Sequence, residues 1–156
     1  MQRFVLSRSL RSGRCRSRGF TLIETLVTVA IAGVLSSIAY PSLEGQVLRA
    51  RRSDALVSLL QAQLAQERHR ANHRSYGELA EIGVRATSIS GYYTLQVATS
   101  STDGYELVAT ATGRQAHDAT CQTLRLSVAG ASVVHASGPD AAASNAAAVN
   151  RKCWNQ

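Results

Sequence analysis

The feature that most constrains this chain is an unbroken apolar stretch from Phe20 to Tyr40, closed by Pro41. Written as a helix, these residues reach roughly 31 Å, about the thickness of the hydrocarbon core of a bilayer. Glu24 is the only ionisable side chain in the stretch before Tyr40. This length and composition predict a membrane-spanning helix over residues 20–41.

The net charge of +7 is concentrated ahead of this stretch. Residues 1–19 contain six arginines and no acidic residue, whereas the rest of the chain has eleven Lys and Arg against ten Asp and Glu. A basic flank of this kind stays on the cytoplasmic side of a membrane, so the remainder is expected to be exported. Without the flank the chain is close to neutral, which argues against general nucleic-acid binding as its main property.

Three interpretations of the apolar stretch compete. A buried core helix would leave Glu24 unpaired and the six-arginine flank unexplained. A secretory signal peptide fits the basic flank, with Ser37 and Ala39 as the small residues before a cut, but the stretch exceeds the roughly 7–15 apolar residues of such signals. The third interpretation, a retained membrane helix behind a removable leader, follows from the residues at the junction.

The junction reads RGFTLIE over residues 18–24, and it resembles the type III signal of type IV pilins and type II secretion pseudopilins. The resemblance implies that a membrane aspartyl peptidase cuts after Gly19 and N-methylates Phe20. In that family the fifth mature residue is Glu and a Pro commonly occupies the twenty-second. Counted from Phe20, these positions are Glu24 and Pro41.

Glu24 has a physical role that can be stated apart from the resemblance. An ionised carboxylate in lipid is costly, which makes it a functional candidate by default. Cleavage would create an α-amino cation at Phe20, four residues away, and opposite charges attract strongly where the dielectric constant is low. The carboxylate can pair with the amine of a neighbouring subunit, which is the assembly role that the family assigns, or with its own N-terminus.

Gly33 and Pro41 weaken the second half of the span. Glycine costs about 1 kcal/mol relative to alanine in a helix, and proline removes one backbone donor. These residues predict a helix kink, and the resemblance implies that the stretch unwinds when filaments form.

Beyond the predicted span, apolar residues occupy only one face of the predicted helix. Apolar residues recur at three- and four-residue spacing from Ser42 to Asn72, which predicts an amphipathic helix over residues 42–73 and a loop over 74–91. The apolar stripe is expected to cover another layer of the domain. Its predicted members are Leu43, Val47, Leu48, Ala55, Leu56, Leu59, Leu60 and Leu64.

The polar positions of this helix suggest two further sites. Arg49, Arg51 and Arg52 are candidates for contact with DNA phosphates, as are Arg68, Arg70 and Arg74 farther along. The alternative is a solvated helix face or contact with neighbouring subunits. His69 and His73 have the spacing of metal ligands, but the residues between them lack the glutamate of a zincin motif. No metal site is predicted.

Period-two alternation replaces the helical pattern beyond the loop. Three strands with one apolar face each are predicted between residues 93 and 128, with a weaker fourth at Ala131–His135. Asp103-Gly104 is typical of a hairpin turn. The predicted fold class is α+β, a long N-terminal helix packed on a small antiparallel sheet over residues 92–135.

The three cysteines divide in the same way as the charge. Cys15 lies in the basic flank, which leaves Cys121 and Cys153 as one pair in the exported part. A disulfide between them would hold the Ala-rich stretch at 136–150, and it is worth ~3–4 kcal/mol in the chain-entropy model. Two free cysteines are the alternative. The resemblance implies the same bridge, which in the family delimits a C-terminal D-region, here residues 121–153.

These expectations divide the chain into a cleaved leader (1–19), a membrane and filament-core helix (20–41) and a soluble head (42–156). The resemblance places such a protein in the inner membrane before assembly and in a cell-surface filament afterwards. It implies three kinds of partner: other pilin subunits, a prepilin peptidase and the inner-membrane pilus assembly machinery.

The sequence contains no catalytic constellation, phosphate-binding loop or CxxC pair, so it predicts neither an enzyme nor a cofactor. The run Asp118-Ala119-Thr120-Cys121 before Leu124 and Leu126, with Cys153-Trp154 near the end, resembles PilE-type minor pilins. This resemblance implies a structural subunit of a type IV pilus with roles in assembly, twitching motility, adhesion and DNA uptake. The alternatives are a DNA-binding competence pilin and a type II secretion pseudopilin.

Overall fold

The computed structural model describes residues 19–154, so Cys15 and the rest of the predicted leader before Gly19 lie outside the described residues. The elements in chain order are α1 (Leu22–Asn72), β1 (Tyr93–Ser100), β2 (Gly104–Ala111), a 3-10 turn (Gly113–His117), β3 (Thr123–Ala129), β4 (Ser132–Gly138) and α2 (Ala147–Cys153). The chain divides into two compact units between Ala39 and Tyr40.

The first unit is an uncovered apolar helix. Thr21 precedes it, and the Glu24 N–H donates to the Thr21 hydroxyl at 3.3 Å, so this hydroxyl caps the first turn. Hydroxyls farther along bond to carbonyls of the same helix, as Ser36 does to Ala32 at 2.7 Å. The 18-residue window Leu22–Ala39 has a mean hydropathy of 2.0 and no buried residue, so it is long and apolar enough to cross a membrane.

The second unit, the head, contains a four-stranded sheet in the order β1-β2-β3-β4, with every neighbouring pair antiparallel. The Ser101 N–H donates to the Gly104 carbonyl at 2.9 Å, and the Ser101 hydroxyl accepts from the N–H groups of Asp103 and Gly104. A Cβ at Gly104 would collide with the Val128 carbonyl, so only glycine fits there. The predicted hairpin turn is confirmed.

One face of the sheet and one face of α1 form a single core. Leu95, Ala109 and Leu124 are cross-strand partners on the buried face of the sheet. The α1 residues in the same cluster are Ala55, Leu59 and Ala62. Their spacing of four and three residues places them on one stripe of the helix. The predicted α+β fold is confirmed.

The predicted apolar stripe of α1 is only partly correct. Ala55 and Leu59 are buried, but Leu43, Leu60 and Leu64 are between 52% and 58% exposed. Leu60 is rotated by about 100° from Leu59 around the helix axis, which takes it off the core face. That face instead carries three buried polar side chains, Arg52, Ser58 and Gln66.

The C-terminal elements extend beyond the predicted boundaries. β4 continues past His135 to Gly138, because Ala136, Ser137 and Gly138 still pair with β3. Ser137 also forms an isolated bridge with Ser144. The 3-10 turn and α2 were not predicted. α2 has the sequence AAVNRKC, and the high helix propensity of alanine is a signal that could have found it.

Candidate assembly and nucleic-acid surfaces

The predicted processing site lies directly before α1. No heavy atom lies within 4 Å of where a Cβ would stand on Gly19, and Phe20 is 81% exposed. Glu24 is exposed in the first turn of α1, where the helix dipole favours a negative charge. Both groups are therefore accessible from outside the protein, while cleavage, methylation and pairing at these residues stay predictions.

Both predicted kink residues lie within the bounds of α1. The helical assignment includes Gly33 and Pro41, and the space around the Cα of Gly33 is open. A kink or unwinding at these positions stays a prediction.

The first unit presents a continuous apolar surface. A soluble protein rarely leaves a large contiguous patch of this kind in water. A surface of this kind is suited to contact with lipid or with other apolar helices. Its large exposed side chains are Phe20, Leu22, Ile23, Leu26, Val27, Val29, Ile31, Val34, Leu35 and Ile38.

A second apolar surface, the outer stripe, lies on the α1 segment within the head. It consists of Leu43, Val47, Val57, Leu60 and Leu64, each between 44% and 58% exposed. At 100° per residue these side chains lie largely on the side of α1 that faces away from the buried stripe. The outer stripe is a candidate contact surface for another apolar molecule.

Arg52, one of the predicted nucleic-acid contacts, is buried in an ion pair. Its Nε and Nη2 donate to the two carboxylate oxygens of Asp118 at 2.6 and 2.9 Å, and both side chains are only 5% exposed. Its Nη1 donates to the Lys152 carbonyl at 3.0 Å. A guanidinium enclosed in this way is not available to a phosphate, so the prediction for Arg52 is wrong. The residue instead joins α1 to the C-terminal segments.

Arg49 and Arg51 are at the surface but do not form a patch together. Residues two apart on a helix point in directions about 200° apart. The Arg51 guanidinium lies 4.6 Å from the centroid of the Tyr92 ring. It also lines a cavity of about 470 Å³ together with Arg114 and His117. Contact of Arg49 and Arg51 with nucleic acid stays a prediction.

A second basic group lies at the C-terminal end of α1, where the helix dipole favours cations. Arg68, Arg70 and Arg74 fall within seven residues. The Arg70 guanidinium lies 5.8 Å from the centroid of the Tyr76 ring, and its Nη1 donates to the His73 carbonyl at 3.0 Å. Arg68 lies ~28 Å along the helix from Arg49, so this basic group and the pair Arg49 and Arg51 are separate surfaces.

The two histidines near this end of α1 contact each other. The rings of His69 and His73 stack with centroids 3.9 Å apart and an interplanar angle of 7°. Among residues 19–154, no three or more His, Cys, Asp or Glu side chains are placed to share a metal ion.

The predicted disulfide between Cys121 and Cys153 is present, with a Cα–Cα distance of 5.5 Å. Next to it, the Trp154 Nε1 donates to the Ala136 carbonyl at 3.2 Å, and the indole ring lies 4.3 Å from the His135 ring. The bridge ties the end of α2 to the segment before β3, and the tryptophan ties the same end to β4. The C-terminal segment is therefore fixed to the sheet.

Polar side chains that sequence reasoning missed hold the loop before β1. The Asp54 carboxylate accepts from the Ser88 hydroxyl at 2.5 Å and from the Ser90 N–H at 3.0 Å. The buried Gln66 amide bonds to both the N–H and the carbonyl of Gly77, at 3.0 and 2.6 Å. One signal was present: Gln66 follows Leu59 by the spacing of two helical turns, on the stripe that faces the core.

Tyr93 lies in a buried polar network under α1. The Gln115 Nε2 donates to the Tyr93 hydroxyl at 3.0 Å and to the Leu48 carbonyl at 3.1 Å. Burial raises the pKa of Tyr93 to about 12, although the hydrogen bond from Gln115 acts in the opposite direction. Burial, together with Glu67, also raises the pKa of Tyr105. Both phenols are therefore neutral at physiological pH.

Two family models match the chain. The model of the type IV minor pilin ComP, DNA uptake sequence receptor, matches residues 41–125, which is more than half of the chain. The model of the prokaryotic N-terminal methylation motif matches residues 14–40. The two matches meet one residue beyond the division between the two compact units.

Pilins and a secretion protein are among the curated relatives. Over 82 residues the chain is 33% identical to the type IV major pilin protein PilE1 of Neisseria gonorrhoeae, covering 51% of this chain and 38% of that protein. It is 39% identical over 69 residues to the type IV major pilin protein PilA of Myxococcus xanthus (strain DK1622), covering 44% and 31%. It is 34% identical over 71 residues to the type II secretion system core protein G of Pectobacterium carotovorum subsp. carotovorum, covering 46% and 45%. The chain spans less than half the length of each of these relatives.

An N-terminal methylation motif alone does not distinguish a pilin from a secretion pseudopilin. The ComP model carries more information because it matches the head, beyond the motif. The head also has the α+β fold and the C-terminal disulfide that the pilin resemblance implies. On this combined ground the chain belongs to the ComP family of type IV minor pilins, which are structural proteins.

Proposed function

We propose that this chain is a minor structural subunit of a type IV pilus, inserted in the inner membrane and then assembled into a filament at the cell surface. The observation that supports this most is the apolar window Leu22–Ala39, in which no residue is buried. A helix of this kind is stable in lipid or among other apolar helices. Lipid would cover it before assembly, and neighbouring subunits would cover it in the filament.

Processing prepares the N-terminus for assembly in this proposal. A prepilin peptidase cuts after Gly19 and methylates Phe20, which leaves an amine four residues before Glu24. The Glu24 carboxylate of an incoming subunit then pairs with the Phe20 amine of its neighbour. An unpaired carboxylate in a medium of low dielectric constant costs several kcal/mol, so this pairing favours one axial register between subunits.

The outer stripe gives the head a second surface for contact with neighbouring subunits. Its leucines and valines are exposed on α1 within the head, and none of them is used by the core. Burial of such side chains in the filament stabilises the contact in proportion to the area removed from water.

The amount of this chain in filaments sheared from cells, measured for wild type and variants, tests the proposal. Glu24→Gln and Glu44→Gln each remove one exposed carboxylate from α1, but only Glu24 lies within the apolar window. We expect Glu24→Gln to lower the amount of this chain per filament mass by at least about tenfold, which corresponds to ~1.4 kcal/mol. Glu44→Gln is the matched control and should stay within about twofold of wild type.

Equal incorporation of the two variants would contradict the assembly role of Glu24. Absence of the wild-type chain from filaments, together with its recovery in a secretion complex, would favour the pseudopilin alternative. Immunoblots of membrane fractions confirm that both variants are inserted and oxidised before their filaments are compared.

DNA binding is a second candidate function, because the matching family model is described as a DNA uptake sequence receptor. The basic group Arg68, Arg70 and Arg74, with Tyr76 beside Arg70, is the surface that fits best. Arginines position a phosphate backbone, and the Tyr76 ring, which also packs against Tyr105, holds the Arg70 guanidinium in place. We therefore propose the DNA contact at the C-terminal end of α1.

Salt dependence tests this candidate on the full mature chain in detergent micelles. We expect binding to double-stranded DNA to weaken with salt, and the double variant Arg70→Gln/Arg74→Gln to reduce the slope of log K against log salt by ~1.8. The control Arg51→Gln/Arg114→Gln removes two arginines from the other end of the head and should leave the slope unchanged. Equal changes in both variants would contradict a DNA contact at this end of α1.

A further inference from the structure

The buried guanidinium of Arg52 contacts the chain close to both cysteines of the disulfide. Its Nε and Nη2 donate to the carboxylate of Asp118, which precedes Cys121 by three residues. Its Nη1 donates at 3.0 Å to the carbonyl of Lys152, the residue directly before Cys153. One side chain of α1 therefore joins the two segments that carry the bridge, although its partners lie 66 and 100 residues away in sequence.

The chain between these contacts and the sulfur atoms is short and ordered. The Cys121 N–H donates to the Asp118 carbonyl at 3.1 Å, which closes a turn between the carboxylate and the first cysteine. Lys152 and Cys153 are consecutive residues of α2. A guanidinium that makes both contacts therefore fixes the two cysteines relative to each other, and hydrogen bonds from a charged donor are among the stronger ones in proteins.

Other contacts hold α2 without any help from the bridge. The Asn150 Nδ2 donates to the His135 carbonyl at 2.7 Å, and the Asn150 Oδ1 accepts from the Ser137 hydroxyl at 2.7 Å. These bonds fix α2 to β4, whereas Arg52 fixes the last turn of α2 to the segment before β3. None of these contacts involves sulfur, so all of them are open to the reduced chain.

We propose that Arg52 is a positioning residue for formation of the disulfide: it holds Cys121 and Cys153 together in the reduced head and so raises the effective concentration of one thiol at the other. Groups that are held in the correct geometry react as if they were present at a much higher concentration. The inference concerns oxidation of the head and does not depend on filament assembly.

The step that Arg52 assists is the second of two exchange reactions. One cysteine thiolate first attacks a disulfide oxidant, which forms a mixed disulfide and releases one thiol. The other cysteine thiolate then attacks the protein sulfur of that mixed disulfide, which forms the Cys121–Cys153 bond and releases the second thiol. The two cysteines lose two electrons and two protons, and the oxidant leaves as two thiols. Only the second reaction requires the two cysteines to be close together.

Equilibration with glutathione tests the proposal on the full mature chain in detergent micelles, where Cys121 and Cys153 are the only cysteines. Thiol alkylation and mass spectrometry measure the oxidised fraction over a range of reduced and oxidised glutathione, which gives the effective concentration of the two thiols. Arg52→Met/Asp118→Leu removes the bond to Lys152 and leaves no unpaired buried charge. We expect its effective concentration to be at least about tenfold below that of the wild type.

Two control variants separate positioning from general stability. Gln66→Ala removes two buried hydrogen bonds ~21 Å farther along α1, so it destabilises the head without touching the segments of the bridge. Arg51→Met removes the neighbouring arginine, whose guanidinium contacts the Tyr92 ring instead. Both should keep the effective concentration within about twofold of the wild type. A cooperative unfolding transition of each reduced variant confirms that its head is folded.

Arg52→Lys decides the question if the reduced double variant does not fold. It keeps a cation beside Asp118 but lacks the fork that reaches both segments, so its effective concentration should fall at least about threefold. A wild-type value in Arg52→Lys or in the folded double variant would overturn the proposal and leave Arg52 with a stabilising role alone. An equally large loss in Gln66→Ala would also overturn it, because oxidation would then follow the stability of the whole head.

Discussion

The two units of this pilin use apolar side chains in opposite ways. In the window Leu22–Ala39 no residue is buried. In the head, α1 buries Leu59 completely, and with it the polar side chains of Arg52 and Gln66, both of which have hydrogen-bond partners. The head therefore contains the contacts that stabilise it, whereas the apolar window buries none of its own side chains.

This difference means that substitutions in the two units need different measurements. Changes in the head are expected to alter its free energy of unfolding, and changes in the span to alter membrane retention and assembly. Trp154 is the single tryptophan of the chain and is nearly buried beside His135. Its fluorescence therefore reports unfolding of the head in the full chain.

The largest effect is expected for Arg52→Met. This change leaves the Asp118 carboxylate buried without its partner and should lower the free energy of unfolding of the head by ~3–5 kcal/mol. Denaturant titration followed by Trp154 fluorescence measures it. Arg51→Met is the control, and it loses only a half-exposed contact with Tyr92, worth ~0.5–1 kcal/mol.

A second variant tests whether the cost comes from the unpaired charge. Arg52→Met/Asp118→Leu removes both charges and should recover most of the stability lost in Arg52→Met. If Arg52→Met and Arg51→Met were equally stable, the buried ion pair would not be holding the head together.

Removal of the disulfide should have the next largest effect. The double variant Cys121→Ser/Cys153→Ser should lower the free energy of unfolding by ~3–4 kcal/mol, because the bridge joins residues 32 apart in sequence. A reductant should destabilise the wild-type head by a similar amount and leave the double variant unchanged. The wild type and the double variant should be retained in membranes to the same extent, since the span has no part in the bridge. A shift of the double variant by reductant would contradict this account.

Alkaline pH should destabilise the head through Tyr93. Its folded pKa of about 12 lies above the ordinary value of 10.0, so its contribution to stability is complete below pH 10 and is lost as the pH rises through 12. Tyr93→Phe should reduce the alkaline loss by ~2–3 kcal/mol. The remaining loss is expected to come in part from Tyr105, whose pKa is raised in the same direction. Identical pH profiles for Tyr93→Phe and the wild type would contradict this assignment.

The smallest effect on the head is expected for changes in the span. Val34 is 63% exposed, so Val34→Ala should change the free energy of unfolding of the head by less than ~0.5 kcal/mol. The same change should weaken partitioning into vesicles by ~1–2 kcal/mol, since two methyl groups leave the hydrocarbon. A loss of head stability as large as that of Arg52→Met would remove the distinction between the two units.

Much of the fold could be predicted from the sequence because its strongest patterns are local. The length of the apolar stretch, the alternation in the strands and the Asp103-Gly104 turn each depend on neighbouring residues. The pairing of Cys121 with Cys153 followed from the division of the cysteines between leader and head. Phe20 and Glu24 lie at the exposed start of α1. Cleavage, methylation and pairing at these residues stay predictions.

The errors arose where a side chain has a partner far away in sequence. Arg52 looked like part of a basic surface, because its partner Asp118 lies 66 residues later in the chain. No residue near Arg52 in sequence indicates that pairing. Leu60 looked like a core residue, since the width of the buried stripe depends on how the sheet meets the helix. Polar residues at core spacing, such as Arg52 and Gln66, were the available warning.

Quantitative mass spectrometry of filaments sheared from the source cells tests the central claim most directly. It should count this chain against the other pilins and identify its N-terminal peptide. We expect a subunit of low abundance whose first residue is methylated Phe20. Absence of the chain from the filaments, or an N-terminal peptide that still contains Gly19, would contradict it.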